Sequence, residues 1–130
     1  MAKKTKTLAK VKQETQRVFN TYIRKRDEGK PCISCGEQKP LQAGHYYPVS
    51  TYDGLRFNEN NVHDECSRCN CFDEGHLINY RPNLIYKIGV TGVMKLEQQA
   101  QNYKQNGYKW SRDELLEIKK KYSQLLKELT

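Results

Sequence analysis

The sequence predicts an α+β fold, in which a small, irregular centre with short strands lies between helical segments. Three observations carry this expectation. Apolar residues recur at three- and four-residue steps near both ends of the chain. Glycine and proline punctuate residues 32–61 too often for a helix of useful length. All five cysteines and all three histidines fall between residues 32 and 76. At 130 residues the chain has the length of one compact domain.

The first element predicted is an amphipathic helix from Leu8 to Arg26. It carries Leu8, Val11, Val18, Phe19, Tyr22 and Ile23 inward and Lys and Arg outward. Gly29 and Pro31 end it. Gln42 to Val49 reads as a strand holding His45, Tyr46 and Tyr47, and Val62 to Glu65 as a second, with Asp53-Gly54 in the turn region between them. A helix is expected from Ser67 to about Tyr80, stopped by Arg81-Pro82. Asn83 to Ile88 forms a short helical piece before Gly89, and Thr91 to Gln101 another. Ser111-Arg112-Asp113-Glu114 has the form of a capping box. It opens a last helix with Leu115, Ile118, Tyr122, Leu125 and Leu126 on one stripe.

The net charge is +8, unevenly spread. Residues 1–30 hold ten Lys/Arg against three Asp/Glu, residues 31–80 three against seven, and residues 81–130 ten against five. An acidic centre with basic flanks suits a protein whose flanks meet a polyanion while its centre meets a cation. Solvated helix faces rich in lysine are the plainer reading of either flank. No stretch approaches the roughly 18–20 apolar residues of a membrane span, so no membrane association is expected. No apolar run follows the basic start Lys3-Lys4-Thr5-Lys6, so the expected compartment is the cytoplasm.

Cys32-Ile33-Ser34-Cys35 and Cys66-Ser67-Arg68-Cys69 are two Cys-x-x-Cys knuckles. Each presents two thiolates, and Cys32, Cys35, Cys66 and Cys69 together would close a tetrahedral structural Zn²⁺ site with no open position. Such a clamp would stabilise a central segment too short for a self-sufficient core. Cys71, two residues beyond Cys69, fits the same tetrahedron poorly and reads as a small buried residue.

Between and around the knuckles lie Gly44-His45-Tyr46-Tyr47-Pro48, Asn61, and Asn70 directly after Cys69. This constellation resembles the HNH or ββα-metal (His-Me finger) nuclease motif: a His closing the first strand, an Asn near the second, and an Asn or His on the helix. The order of Ala43-Gly44-His45, Leu55-Arg56-Phe57-Asn58, Asn61-Val62-His63, Cys66-Ser67-Arg68-Cys69-Asn70 and Tyr80 is similar to that of the lambdoid phage NinG (Rap) recombination proteins. The lead-in from Tyr22 to Asp27 and the Ile88-Gly89 segment look similar too. The likeness covers roughly residues 18 to 96 and, more loosely, the last helix. It implies a zinc-clamped, HNH-like core over 31–81, a basic N-terminal helix over 1–30 and a C-terminal helical region over 82–130. It also implies a structure-selective endonuclease acting on branched DNA such as Holliday junctions or D-loops, in the cytoplasm of a host cell.

Hydrolysing a phosphodiester needs an activated water and charge relief on the phosphate and leaving oxygen. A neutral imidazole suits the first task, and His45 is the candidate base. A catalytic Mg²⁺ or Mn²⁺ would take an oxygen of Asn70, while Asn61 would brace the strand or orient His45. Many members of the wider class carry Asp or His just before the base, where this chain has Gly44. Either Asn70 is the only protein ligand, completed by water, or Asp73 or Glu74 one turn on supplies a second. Asp73 is preferred, because the junction-resolving endonuclease VII of T-even phages also carries an acid three residues after its helix Asn. Asn70 as a helix cap is the competing reading.

His63 alternates with Asn61, so both are expected to face the cleft, His63 as a phosphate contact or a structural group. His76, nearly two turns beyond Asn70, reads first as a partly exposed helix residue. Arg56 and Arg68 are candidates to grip phosphate. The basic N-terminal lysines and Arg24-Lys25-Arg26 are candidates to follow the DNA backbone. One of Tyr46 and Tyr47 is expected to pack inward and the other to rest against DNA. No base-reading element is evident, which favours a branched or distorted duplex as partner. Two further readings stand beside this one: an HNH nicking or restriction-type nuclease on linear duplex, and a zinc module that binds DNA without cutting. A homodimer would suit two symmetric cuts, with the apolar stripe of the last helix as its candidate interface.

Overall fold

The computed structural model describes residues 5–71 and 76–130, with positions 71 and 76–78 given as helix backbone alone. Helix α1 spans Leu8–Arg26 and strand β1 Leu41–His45. Two single-turn 3₁₀ helices, Asp53–Leu55 and Glu59–Asn61, lead into β2, Val62–Cys66. Then come α2, Ser67–Cys71, α3, His76–Asn106, and α4, Arg112–Glu128. Among the described residues, no helix is long and apolar enough to cross a membrane.

α1 begins and ends where its periodicity says it should. Thr7 caps it by accepting a hydrogen bond from the Lys10 amide at 3.1 Å, and Val11, Thr15, Phe19 and Ile23 form its buried stripe. α4 carries the expected capping box. Ser111 Oγ accepts from the Glu114 amide at 3.2 Å, and Glu114 Oε1 accepts from the Ser111 amide at 3.0 Å.

The two strands pair antiparallel, with Gln42 opposite Glu65, Ala43 opposite Asp64, Gly44 opposite His63 and His45 opposite Val62. β1 is shorter than expected, because the chain leaves the ladder after His45 and bonds instead to Asn61.

Because side chains alternate across a strand, the sheet separates two cores. Ala43 and Val62 face one containing Phe19 and Ile23 of α1, Phe57, and Leu115 and Tyr122 of α4. The second core joins Ile33, Tyr46 and Leu55 to Tyr80, Leu84, Val93, Leu96 and Ala100 of α3. Thr15 Oγ1 ties α1 to α4 by donating to the Leu115 carbonyl at 3.2 Å. The α4 stripe offered as a dimer interface is thus largely covered by α1 of the same chain.

The expected break at Arg81-Pro82 does not occur, since α3 runs through Pro82. Proline removes an N–H and crowds the preceding turn. Here Asn83 Nδ2 donates to the Asn79 carbonyl at 3.3 Å, and Tyr80 and Leu84 on either side are fully buried. Burial of those two side chains offsets the defect. Gly89 does interrupt the helix as expected: at φ 81° and ψ 162° it is non-helical, a conformation that favours glycine, and a second helical stretch follows it within α3.

Candidate functional site

The four knuckle cysteines converge. Their sulfurs all lie within 4.8 Å of one another, and Cys35 Sγ is 3.9 Å from Cys66 Sγ. A tetrahedron built on Zn–S bonds of 2.3 Å has edges of about 3.8 Å, so the donor set fits a zinc ion. Amide groups point at the sulfurs as well: Cys35 N and Cys66 N lie 3.5 and 3.3 Å from Cys32 Sγ. Gly36, at φ 75°, makes the first knuckle turn by donating to the Cys32 carbonyl at 2.9 Å. Cys66 both ends β2 and abuts the start of α2, so a bound ion would fasten sheet to helix. The first knuckle is tied to the rest of the fold through the Ile33 amide, which donates to the Asp64 carbonyl at 3.0 Å, and through Ser34 Oγ, which donates to Glu65 Oε2.

Glu65 also accounts for Gly44. A Cβ at position 44 would stand 2.4 Å from Glu65 Oε1, so no side chain fits there while this buried carboxylate occupies the space. The two residues are diagonal neighbours on one sheet face, opposite the face of His45.

His45 closes β1 with its ring half-buried. Nε2 lies 3.0 Å from the Arg56 carbonyl oxygen. A carbonyl only accepts, so Nε2 carries the proton and Nδ1 presents the lone pair. Burial, aided by the nearby Arg56 charge, holds the imidazole below its ordinary pKa against the pull of that hydrogen bond. The ring is therefore neutral at pH 7.

Asn61 is fully buried and staples the chain that leaves β1. Its Oδ1 accepts from the Tyr47 amide at 2.9 Å, and its Nδ2 donates to the carbonyls of Tyr47 and Leu55 at 3.1 and 3.3 Å. Its own carbonyl accepts from the Tyr46 amide at 2.8 Å. It acts on His45 through this loop, which delivers the Arg56 carbonyl, and not by bonding the ring.

Asn70 sits inside α2, not at its N-terminal cap. Its Nδ2 donates to Gln42 Oε1 at 2.7 Å, which leaves Oδ1 as a hard, neutral donor. Gln42 precedes His45 by three residues on β1, about 10 Å of strand. The two candidate residues thus flank one strand from different faces. Asp73 and Glu74 lie outside the described residues, as do Lys3 and Lys4, and so do the side chains of Cys71 and His76.

Several expected contacts are corrected. His63 does not face a cleft, because its side of the sheet is covered by α3. Tyr80 Oη donates to the Gly44 carbonyl at 2.8 Å, and His63 Nδ1 lies 3.3 Å from that phenol. Burial pushes the His63 pKa down to about 3. Arg26 is a structural clamp: it bonds both oxygens of buried Asp27 and the carbonyls of Glu59 and Val62 at 3.1 and 2.8 Å. Asp27 Oδ2 in turn accepts from the Asp64 amide at 3.0 Å. Burial raises the Asp27 carboxyl, and Arg26 outweighs it and keeps the group below the ordinary range.

Lys25 pairs with Glu28 at 2.8 Å, and Arg56 with Asp53 at 2.7 Å and Gln16 at 3.1 Å. Arg24 remains half-exposed, 3.5 Å from Asp64 Oδ1, and Arg68 is exposed on α2. Tyr46 is buried, and Tyr47 packs between it and Tyr52, so neither ring is laid open for a base. The Arg26–Asp27 clamp and the Glu65 plug escaped sequence reasoning. A glycine in mid-strand diagonal to an acid was the available signal for the second.

Comparison with known proteins gives a consistent match. The family model described as Bacteriophage Lambda NinG protein matches residues 1–130. "Protein ninG" of Escherichia phage lambda is 40% identical over 119 residues, 90% of this chain and 56% of that protein. "Protein ninG" of Salmonella phage P22 is 38% identical over 119 residues, again 90% of this chain and 56% of the relative. That of Enterobacteria phage H19B is 36% identical over the same length, 57% of the relative. The chain therefore spans little more than half the length of these curated relatives. No solved structure matches it.

Proposed function

This chain belongs to the NinG family of bacteriophage proteins, and from that premise we propose that it is a metal-dependent, structure-selective DNA endonuclease with an HNH-like core. The observation that carries the reading is the 3.0 Å contact of His45 Nε2 with the Arg56 carbonyl. It directs the basic Nδ1 away from its own backbone support, while burial keeps the ring neutral, as a general base requires.

In the reaction His45 Nδ1 takes a proton from the attacking water as the water oxygen bonds to phosphorus and the P–O3′ bond breaks. The Nε2–H···O=C bond steadies the imidazolium that results. Asn61 keeps the loop carrying that carbonyl in place. Asn70 Oδ1 is a donor of the kind Mg²⁺ or Mn²⁺ accepts, with Asp73 the candidate second ligand. A hard ion held there would supply charge relief to the scissile phosphate and the departing oxygen.

His45→Ala is expected to slow cleavage of a labelled four-way junction or D-loop by about 10²–10⁴-fold with Mg²⁺ or Mn²⁺, while binding persists. Cutting at the wild-type rate would remove His45 from the mechanism. Comparing junction with linear duplex of equal sequence decides between a branched and a linear target.

The Glu65 plug beside Gly44 favours a second reading, a zinc-pinned module that binds DNA without cutting it. Absence of EDTA-sensitive scission by the wild-type protein under every divalent ion tried would select that reading.

A further inference from the structure

We propose that the groove between α1 and β1 seats the sugar–phosphate backbone of one duplex arm and leads it to His45 and Asn70. The inference rests on the endonuclease reading for its destination, and on the groove's own chemistry for its occupant.

The groove is about 1010 Å³ in volume, and its lining holds five cationic side chains and no carboxylate. On a chain with an acidic centre, a trough with no acid in its walls is a local selection for a polyanion. The cations differ in availability. Lys12 and Arg56 are held by Asp53, at 2.6 and 2.7 Å. Arg24 keeps a longer 3.5 Å contact with Asp64, and Lys10 and Arg17 have no ion-pair partner among the described residues.

Lys10, Arg17 and Arg24 are all exposed and stand seven residues apart along the 19-residue helix α1. Each step is about 10.5 Å of helix. Between them Gln13, Asn20 and Thr21 add uncharged hydrogen-bonding groups to the lining, of the kind that also serves phosphate oxygens. The occupant indicated is thus an extended, regularly spaced anion, and a straight α-helix presents the cations to it in one line.

Where the groove meets the sheet, two of its lining residues hold the candidate catalytic pair. Gln42 accepts from Asn70 Nδ2, and the Arg56 carbonyl accepts from His45 Nε2. A backbone lying in the trough would therefore arrive at the segment of β1 that both residues flank. Lys25 and Arg26, adjacent in sequence to Arg24, turn to other faces and take no part.

The test is equilibrium binding of a fluorescent four-way junction in EDTA, where cleavage is silent, at several salt concentrations. The variant Lys10→Ala/Arg17→Ala/Arg24→Ala is compared with Lys104→Ala/Lys120→Ala/Lys127→Ala, three exposed lysines on α3 and α4. The groove variant is expected to bind about 100-fold more weakly at 0.15 M salt and to lower the log–log salt slope by about 2.7. The control is expected to stay within about threefold of wild type. Circular dichroism checks that both retain their helices, and Arg17→Glu alone gives a second, single-site reading in the same direction.

Equal weakening by the two triple variants, near-wild-type binding by the groove variant, or no binding by the wild type would each overturn the proposal. Groove-dependent binding without scission in Mg²⁺ or Mn²⁺ would overturn the endonuclease reading and leave the groove standing. Scission with groove-independent binding would do the reverse.

Discussion

His45 is where a single ring carries the functional argument. Its neighbours in sequence and its place before the turn made it visible as a candidate, whereas the tautomer needed the Arg56 carbonyl, eleven residues away. Burial disfavours the imidazolium, so proton uptake occurs below the ordinary pKa of 6.5. A neutral base loses activity on protonation, so the acid limb of kcat/KM for cleavage is expected to have its midpoint below pH 6.5 and to rise towards neutrality. A pH–rate profile on a junction substrate measures this, and a midpoint above 6.5 would contradict the assignment. His63 shows why the rest was less legible. Period-two alternation assigns it to one sheet face, but only the tertiary structure decides that α3 covers that face. The same holds for Arg26, whose five donors suit a phosphate and a set of buried oxygens equally well.

Among the elements, the loop leaving β1 is fastened at several points by the Asn61 side chain. Asn61→Ala would remove three hydrogen bonds and leave the amide and carbonyl of Tyr47 without their partner. A loss of about 2–3 kcal/mol in urea unfolding is expected, together with slower cleavage because the Arg56 carbonyl is less firmly placed. α1 was readable at both ends from its apolar stripe and the Gly29 and Pro31 beyond it, and α4 at its start from the capping box. α3 was legible only in part, since Gly89 breaks it as expected whereas Pro82, also a local stop signal, is overridden by burial of Tyr80 and Leu84.

At the scale of the whole molecule, the cysteine cluster brings the first knuckle, β2 and α2 together at one point. One zinc per chain is expected by elemental analysis. Stripping it with a strong chelator, or Cys66→Ser, is expected to lower the melting temperature and destabilise the fold by on the order of several kcal/mol. Unchanged melting after removal would show that the thiols hold no structural ion. The clamp was legible because its ligand spacing is local. The pairing of α1 with α4 was not, because it joins residues about a hundred positions apart, as in the bond from Thr15 to Leu115. That distance has a cost during translation. At roughly 5–20 residues per second, the oily side of α1 waits several seconds or more on the ribosome for the helix that will cover Phe19. Until then the nascent chain offers that stripe to any other unfinished copy nearby, which makes synthesis, not the finished protein, its stage of greatest exposure to aggregation.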